Sequence, residues 1–186
     1  GADGNNVAVG HSAGLSVSTG TNNTLIGAYA GDALTTGTNN VAIGRSALTT
    51  EDAHGYNVAI GTYALLNLNA GDNAYNIAVG YAAGENVTTG VRNVIIGGAA
   101  GDALTTGGDN VVMGYSALTT ANTTEAKNVA IGSYALNAMD NGSTANTYNT
   151  AVGYYSGVAV STGLQNTIIG SLAGDALTTG SNNMII

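Results

Sequence analysis

Cysteine, proline, tryptophan and phenylalanine are all absent from the 186 residues, and charged side chains make up only 8% of them. Without cysteine the chain can hold neither a disulfide nor a thiolate metal site. Three Lys and Arg against eleven Asp and Glu give a formal net charge of -8. With no basic stripe to displace counterions, nucleic acid is excluded as a partner. No run approaches the roughly 18 apolar residues of a helical membrane span, so membrane insertion is not expected. Histidine is rare too: His11 and His54 fall at different places in their repeats, and no base is set beside a nucleophile by pattern.

What is present is a repeat. The motif Asn-x-x-x-Gly occurs at Asn6 and Gly10, Asn23 and Gly27, Asn40 and Gly44, Asn57 and Gly61, and Asn76 and Gly80. It continues at Asn93 and Gly97, Asn110 and Gly114, Asn128 and Gly132, Asn149 and Gly153, and Asn166 and Gly170, then begins again at Asn183. Successive asparagines are 17, 17, 17, 19, 17, 17, 18, 21, 17 and 17 residues apart. Such regularity is the signature of a stack whose units touch mainly their neighbours. Disorder is the competing reading of a chain with 29 glycines, but 44% hydrophobic content with periodic Val and Ile buries surface that a disordered tract cannot. Residues 1–186 therefore read as one array of about ten and a half turns. The cut inside the last motif, at Ile186, suggests a fragment of a longer fibre.

Between Asn and Gly the residues alternate as a strand does, with Val41 and Ile43 pointing one way and Ala42 the other. The middle position is apolar in every copy and the outer pair is Val, Thr, Ile or Met followed by Val, Ile or Met; a strand apolar on both sides is buried on both. The outer pair is expected to form an interior column. The middle residue, usually Ala, is expected to pack against another copy of the chain, because a turn of about 17 residues encloses too thin a core for both. The closing Gly suggests a positive backbone dihedral or a close approach, and the Asn a ladder of amides bonded from turn to turn.

Two kinds of turn alternate in pairs. After a small residue three places beyond the closing Gly, one kind has a further Gly (Gly14, Gly31, Gly84, Gly101, Gly157, Gly174) and the other a Leu (Leu48, Leu65, Leu118, Leu136). A four-turn super-repeat results. The extra residues of turns four, seven and eight all follow such a Leu and belong in loops on one edge.

Asn39-Asn40-Val41-Ala42-Ile43-Gly44 resembles the head repeats of trimeric autotransporter adhesins, and Asn22-Asn23-Thr24-Leu25-Ile26-Gly27-Ala28-Tyr29-Ala30 is similar to repeats of bacteriophage tail fibres. Adhesin head repeats are usually shorter and lack the Ser/Thr-Thr-Gly arm seen at Thr105-Thr106-Gly107, which favours the phage-like group. The resemblance implies an all-β parallel β-solenoid or β-roll assembled as a homotrimer. It further implies a virion appendage or an extracellular, cell-surface location, a spacer and host-attachment role, and a cell-surface glycan or protein as receptor. The alternatives are a bacterial trimeric adhesin segment and an ice-binding solenoid suggested by Thr pairs such as Thr35-Thr36 and Thr49-Thr50. Last comes a hexapeptide-type enzyme suggested by Ile43 to Leu48.

Neither an enzyme nor a cofactor or metal site is expected. Asp32, Asp102 and Asp175 occupy equivalent places four turns apart, roughly 19 Å at strand spacing, too far to act together within one chain. They read as solvated turn acids. The ten Tyr, the only aromatics besides His, cluster beside the closing Gly or just before a motif Asn, where they cover seams or loops or offer rings to a receptor.

Overall fold

A computed structural model describes residues 4–120, 126–142 and 146–186. Each motif forms a short strand: β1 (Val7–Val9), β2 (Thr24–Ile26), β3 (Val41–Ile43), β4 (Val58–Ile60), β5 (Ile77–Val79) and β6 (Val94–Ile96). Then follow β7 (Val111–Met113), β8 (Val129–Ile131), β9 (Thr150–Val152), β10 (Thr167–Ile169) and β11 (Met184–Ile185). All eleven lie in chain order in one parallel sheet, and the register pairs like with like: Val41 beside Val58, Ala42 beside Ala59, Ile43 beside Ile60. Among the described residues there is no helix, and the fold is an all-β parallel β-solenoid of about 17 residues per turn. The two extra residues of turn four lie between Leu65 and Asn76. The extra residue of turn seven falls within 121–125 and part of the turn-eight insertion within 143–145, outside the described residues.

The expected assignment of the two strand faces is reversed. The middle residues Leu25, Ala42, Ala59, Ala78, Ile95, Val112, Ala130, Ala151 and Ile168 are fully buried inside the coil. Their flanking Val, Ile, Thr and Met side chains lie half-buried or exposed on the outside. The reason is room. A three-residue strand sends one side chain one way and two the other. The narrow interior must also take the small residue three places beyond the closing Gly (Ala30, Ala47, Ala64 and their equivalents) and a further apolar side chain from the far side of the turn. One inward column fits, and two do not.

That interior also accounts for the paired turn types. Leu48, Leu65, Leu118 and Leu136 are fully buried, and they come from turns whose strand centres are the smaller Ala42, Ala59, Val112 and Ala130. Leu25, Ile95 and Ile168 are the large strand centres, and each fills two glycine turns, its own and the one before. A Cβ on Gly14 would lie 2.7 Å from Leu25 Cδ1, and one on Gly31 2.7 Å from Leu25 Cδ2. Gly84 and Gly157 stand in the same relation to Ile95 and Ile168, each at 2.9 Å from the Cδ1 of the next turn. Large and small positions thus interdigitate along the axis with a four-turn period, as close packing requires.

Candidate interaction surface

Two columns fix the geometry of the outer face. On one side of the strands the motif asparagines form a continuous ladder, buried from Asn23 to Asn166, in which each Oδ1 accepts the backbone N–H of the next Asn at 2.8–3.2 Å over ten steps. In most turns the same side chain also closes its own coil, as where Asn93 Nδ2 donates to Gly107 O at 2.9 Å and Asn149 Nδ2 to Gly163 O at 2.8 Å. On the other side the closing glycines stack with φ between 129° and 142°. A Cβ on Gly97 would lie 2.6 Å from the carbonyl oxygen of Gly114 in the next turn. The two columns hold the strands in register, so their outward side chains line up.

The result is an unbroken strip two side chains wide. One column reads Val7, Thr24, Val41, Val58, Ile77, Val94, Val111, Val129, Thr150, Thr167 and Met184, and the other runs from Val9 through Ile26, Ile43, Ile96 and Met113 to Ile169. No charge interrupts either. At about 4.8 Å per strand the strip is roughly 48 Å long. Ile77 is 40% exposed in mid-rod, so the strip does not arise from end effects. Both margins carry rings and charges. Along the Asn side Tyr56 and Tyr75 stack at 5.0 Å, Lys127 lies 5.4 Å over the Tyr148 ring, and Arg92 binds Asp109 through Nε and an Nη at 2.6 and 3.0 Å. Along the Gly side His11 meets Tyr29 edge-on, Arg45 lies over Tyr63, and further contacts join Tyr63 to Tyr81 and Tyr115 through Tyr134 to Tyr155. An apolar centre with an aromatic and polar rim is how protein interfaces are built.

The titratable groups lie away from this strip. Glu51 is fully buried in a column otherwise filled by Val17, Leu34, Leu68, Val87, Leu104, Met139 and Val160, and its carboxylate is satisfied. It accepts the His54 backbone N–H, meets His54 Nδ1 at 3.1 Å, and accepts the Ala70 N–H at 3.3 Å. With Asp52 and His54 it forms a group whose carboxylate oxygen and ring nitrogen atoms lie within 4.8 Å of one another, and the hydrogen bonds make it a staple between two loops. Glu51→Ala should leave the buried Ala70 N–H without its acceptor and cost about 2 kcal/mol, measured by denaturant unfolding.

Asp32 and Asp102 are not the solvated acids expected. Each has one oxygen, Oδ1, buried without a partner, and burial pushes both carboxyls above their ordinary range, with Glu85 adding to the shift at Asp102. The next turn covers them, whereas Asp175 has no full turn beyond it and is exposed. A carboxyl that holds its proton more tightly folded than unfolded favours folding at low pH, and this contribution is lost as pH rises through the shifted range. Asp102→Asn should therefore raise the unfolding midpoint at pH 7, and its advantage should shrink as pH falls into the carboxylate range. Thermal unfolding of both proteins across pH checks this.

No protein-family model, curated protein or solved structure matches the chain. The motif Asn and Gly residues come together as the two columns described, while His11 and His54 sit at separate places. The sequence reading missed Glu51, although aligning the turns shows it as the one acid in an apolar column.

Proposed function

We propose that this chain is a structural segment of a homotrimeric fibre, a rigid spacer with a host-surface attachment role in a phage tail fibre or similar virion appendage. The single observation that supports it is the Val, Ile and Thr strip. A continuous face of Val, Ile and Met with three Thr running the whole length of the coil is too long for an ordinary monomer surface, and every turn contributes to it. Three copies meeting along these strips would bury them about a common axis. Rigidity follows from the ladder and the register, because each turn is tied to the next through backbone and side chain alike. A bacterial trimeric adhesin segment uses the same mechanics.

The ice-binding alternative is less well supported. The Thr pairs do not share one register: Thr35-Thr36 and Thr88-Thr89 fall late in their turns, whereas Thr49-Thr50 and Thr119-Thr120 follow the Leu. Several hydroxyls of that late column are also engaged with the next turn, as where Thr35 Oγ1 donates to Asp52 O at 2.9 Å and Ser18 Oγ to Thr35 O at 3.0 Å.

Sedimentation equilibrium tests the proposal. The expected mass is about 55 kDa, three times the 18.2 kDa chain. Ile96→Lys, which points outward from β6, should shift it to monomer while leaving the β-type circular dichroism unchanged. A native chain that stays monomeric at all concentrations would sink the trimer.

A further inference from the structure

The residue immediately after the closing Gly alternates strictly in size along the rod. In odd turns it is His11, Arg45, Tyr81, Tyr115 and Tyr154, and in even turns Ala28, Thr62, Gly98, Ser133 and Ser171. Three consecutive odd turns thus carry tyrosines, and these are among the most exposed large side chains of the molecule, at 63%, 56% and 54% for Tyr81, Tyr115 and Tyr154. Their Cα atoms are two strands apart, about 9.6 Å. The position between Tyr81 and Tyr115 is open, because a Cβ on Gly98 would meet only the Tyr115 ring, at 3.5 and 3.8 Å, and Ser133 is the small residue between Tyr115 and Tyr154. Each ring is braced by another tyrosine, Tyr81 by Tyr63 at 6.0 Å, Tyr115 by Tyr134 at 5.6 Å and Tyr154 by Tyr155 at 4.4 Å. The stretch from Tyr81-Ala82 through Gly98-Ala99, Tyr115-Ser116 and Ser133-Tyr134 to Tyr154-Tyr155 contains no charge.

From this geometry we infer that the Tyr81–Tyr115–Tyr154 rib binds a neutral, extended β-1,4-linked glycan laid along the rod. The spacing of their Cα atoms is close to the disaccharide repeat of such a chain, so every second sugar can place its C–H face on a tyrosine. Phenol and serine hydroxyls at the margin meet its hydroxyl groups. Aromatic rings suit this because they are large, rigid and carry a polar handle. The lack of charge disfavours an acidic polysaccharide. The inference deepens the attachment half of the proposed function and rests on it, but it does not require the trimer, because the rib lies beside the apolar strip and not within it.

Isothermal titration of the intact chain with cellohexaose and chitohexaose tests it, with maltohexaose, an α-linked coil of wrong pitch, as control. At least one β-1,4-linked hexamer should bind, and maltohexaose at least tenfold more weakly. Tyr115→Ala should weaken binding roughly tenfold, and the triple variant of Tyr81, Tyr115 and Tyr154 to Ala should abolish it. None of the three has a positive φ, so alanine is tolerated there, and sedimentation should show the wild-type mass for the triple variant. No binding of either β-linked hexamer at millimolar concentration overturns the inference, as does equal binding of maltohexaose or unchanged affinity in the triple variant. A changed mass in that variant would assign the rib to subunit contact instead. A monomeric wild-type chain that still binds would retain the glycan site and remove only the trimer.

Discussion

Asn93→Ala is expected to destabilise the chain by about 4 kcal/mol, as two buried backbone groups each lose a partner at about 1–3 kcal/mol apiece. Asn93 Oδ1 accepts the Asn110 backbone N–H at 3.0 Å, and its Nδ2 donates to Gly107 O at 2.9 Å. Both bonds lie in the buried middle of the ladder, where no water can replace them. Asn93→Asp tests which half matters. It keeps the acceptor, loses the donor to Gly107 O and places a carboxylate in the interior, so it should be at least as damaging at pH 7 and milder at low pH. Asn6 supplies the internal control. Its Oδ1 accepts the Asn23 N–H at 2.8 Å, but the residue is exposed at the end of the array, and alanine there should cost under about 1 kcal/mol. Denaturant unfolding at one fixed protein concentration gives the comparison. Because each turn touches mainly its neighbours, the Asn93 lesion should also appear as faster hydrogen exchange centred on β6 and β7. Equal costs at Asn93 and Asn6 would mean that the ladder contributes nothing beyond what water supplies.

Much of this was legible in the sequence for a specific reason: a repeat exposes each column of the structure as a column of letters. The register of Val41 with Val58 and the stacked glycines follow from the constant offset of the motif alone. What the letters did not settle was direction. Val41, Ala42 and Ile43 are all apolar, and hydrophobicity cannot say whether one side chain or two face the interior. The answer lies in the competing volume of Ala47, Leu48 and their equivalents, which belong to the other side of the turn. Glu51 is not visible from the motif, because its column shows as apolar only once Leu34, Leu68 and Val87 are set beside it. The burial of Asp102 was equally hidden, since whether a turn acid is solvated depends on the following turn lying over it.

Gly97→Ala should be as costly as the loss of a ladder residue, by a different mechanism that can be separated into two parts. The first is conformational: at φ 134° an L side chain is disfavoured, which costs about 2 kcal/mol. The second is steric. The new methyl would stand 2.6 Å from Gly114 O and 2.7 Å from Gly114 C, and both are backbone atoms held in the sheet. Forcing the turns apart to relieve this would add about 2 kcal/mol or more. Gly170 isolates the first part, because it has the same kind of backbone, φ 129°, yet its Cβ would meet only the Ala173 Cβ at 3.6 Å. Gly170→Ala should therefore cost about half as much as Gly97→Ala. Restoring room at the neighbour cannot rescue Gly97→Ala, since that neighbour is already glycine, and no second-site substitution at position 114 should recover stability. If the two alanine variants unfold at the same denaturant concentration, the close approach of adjacent turns is not what demands glycine, and the dihedral alone accounts for the column.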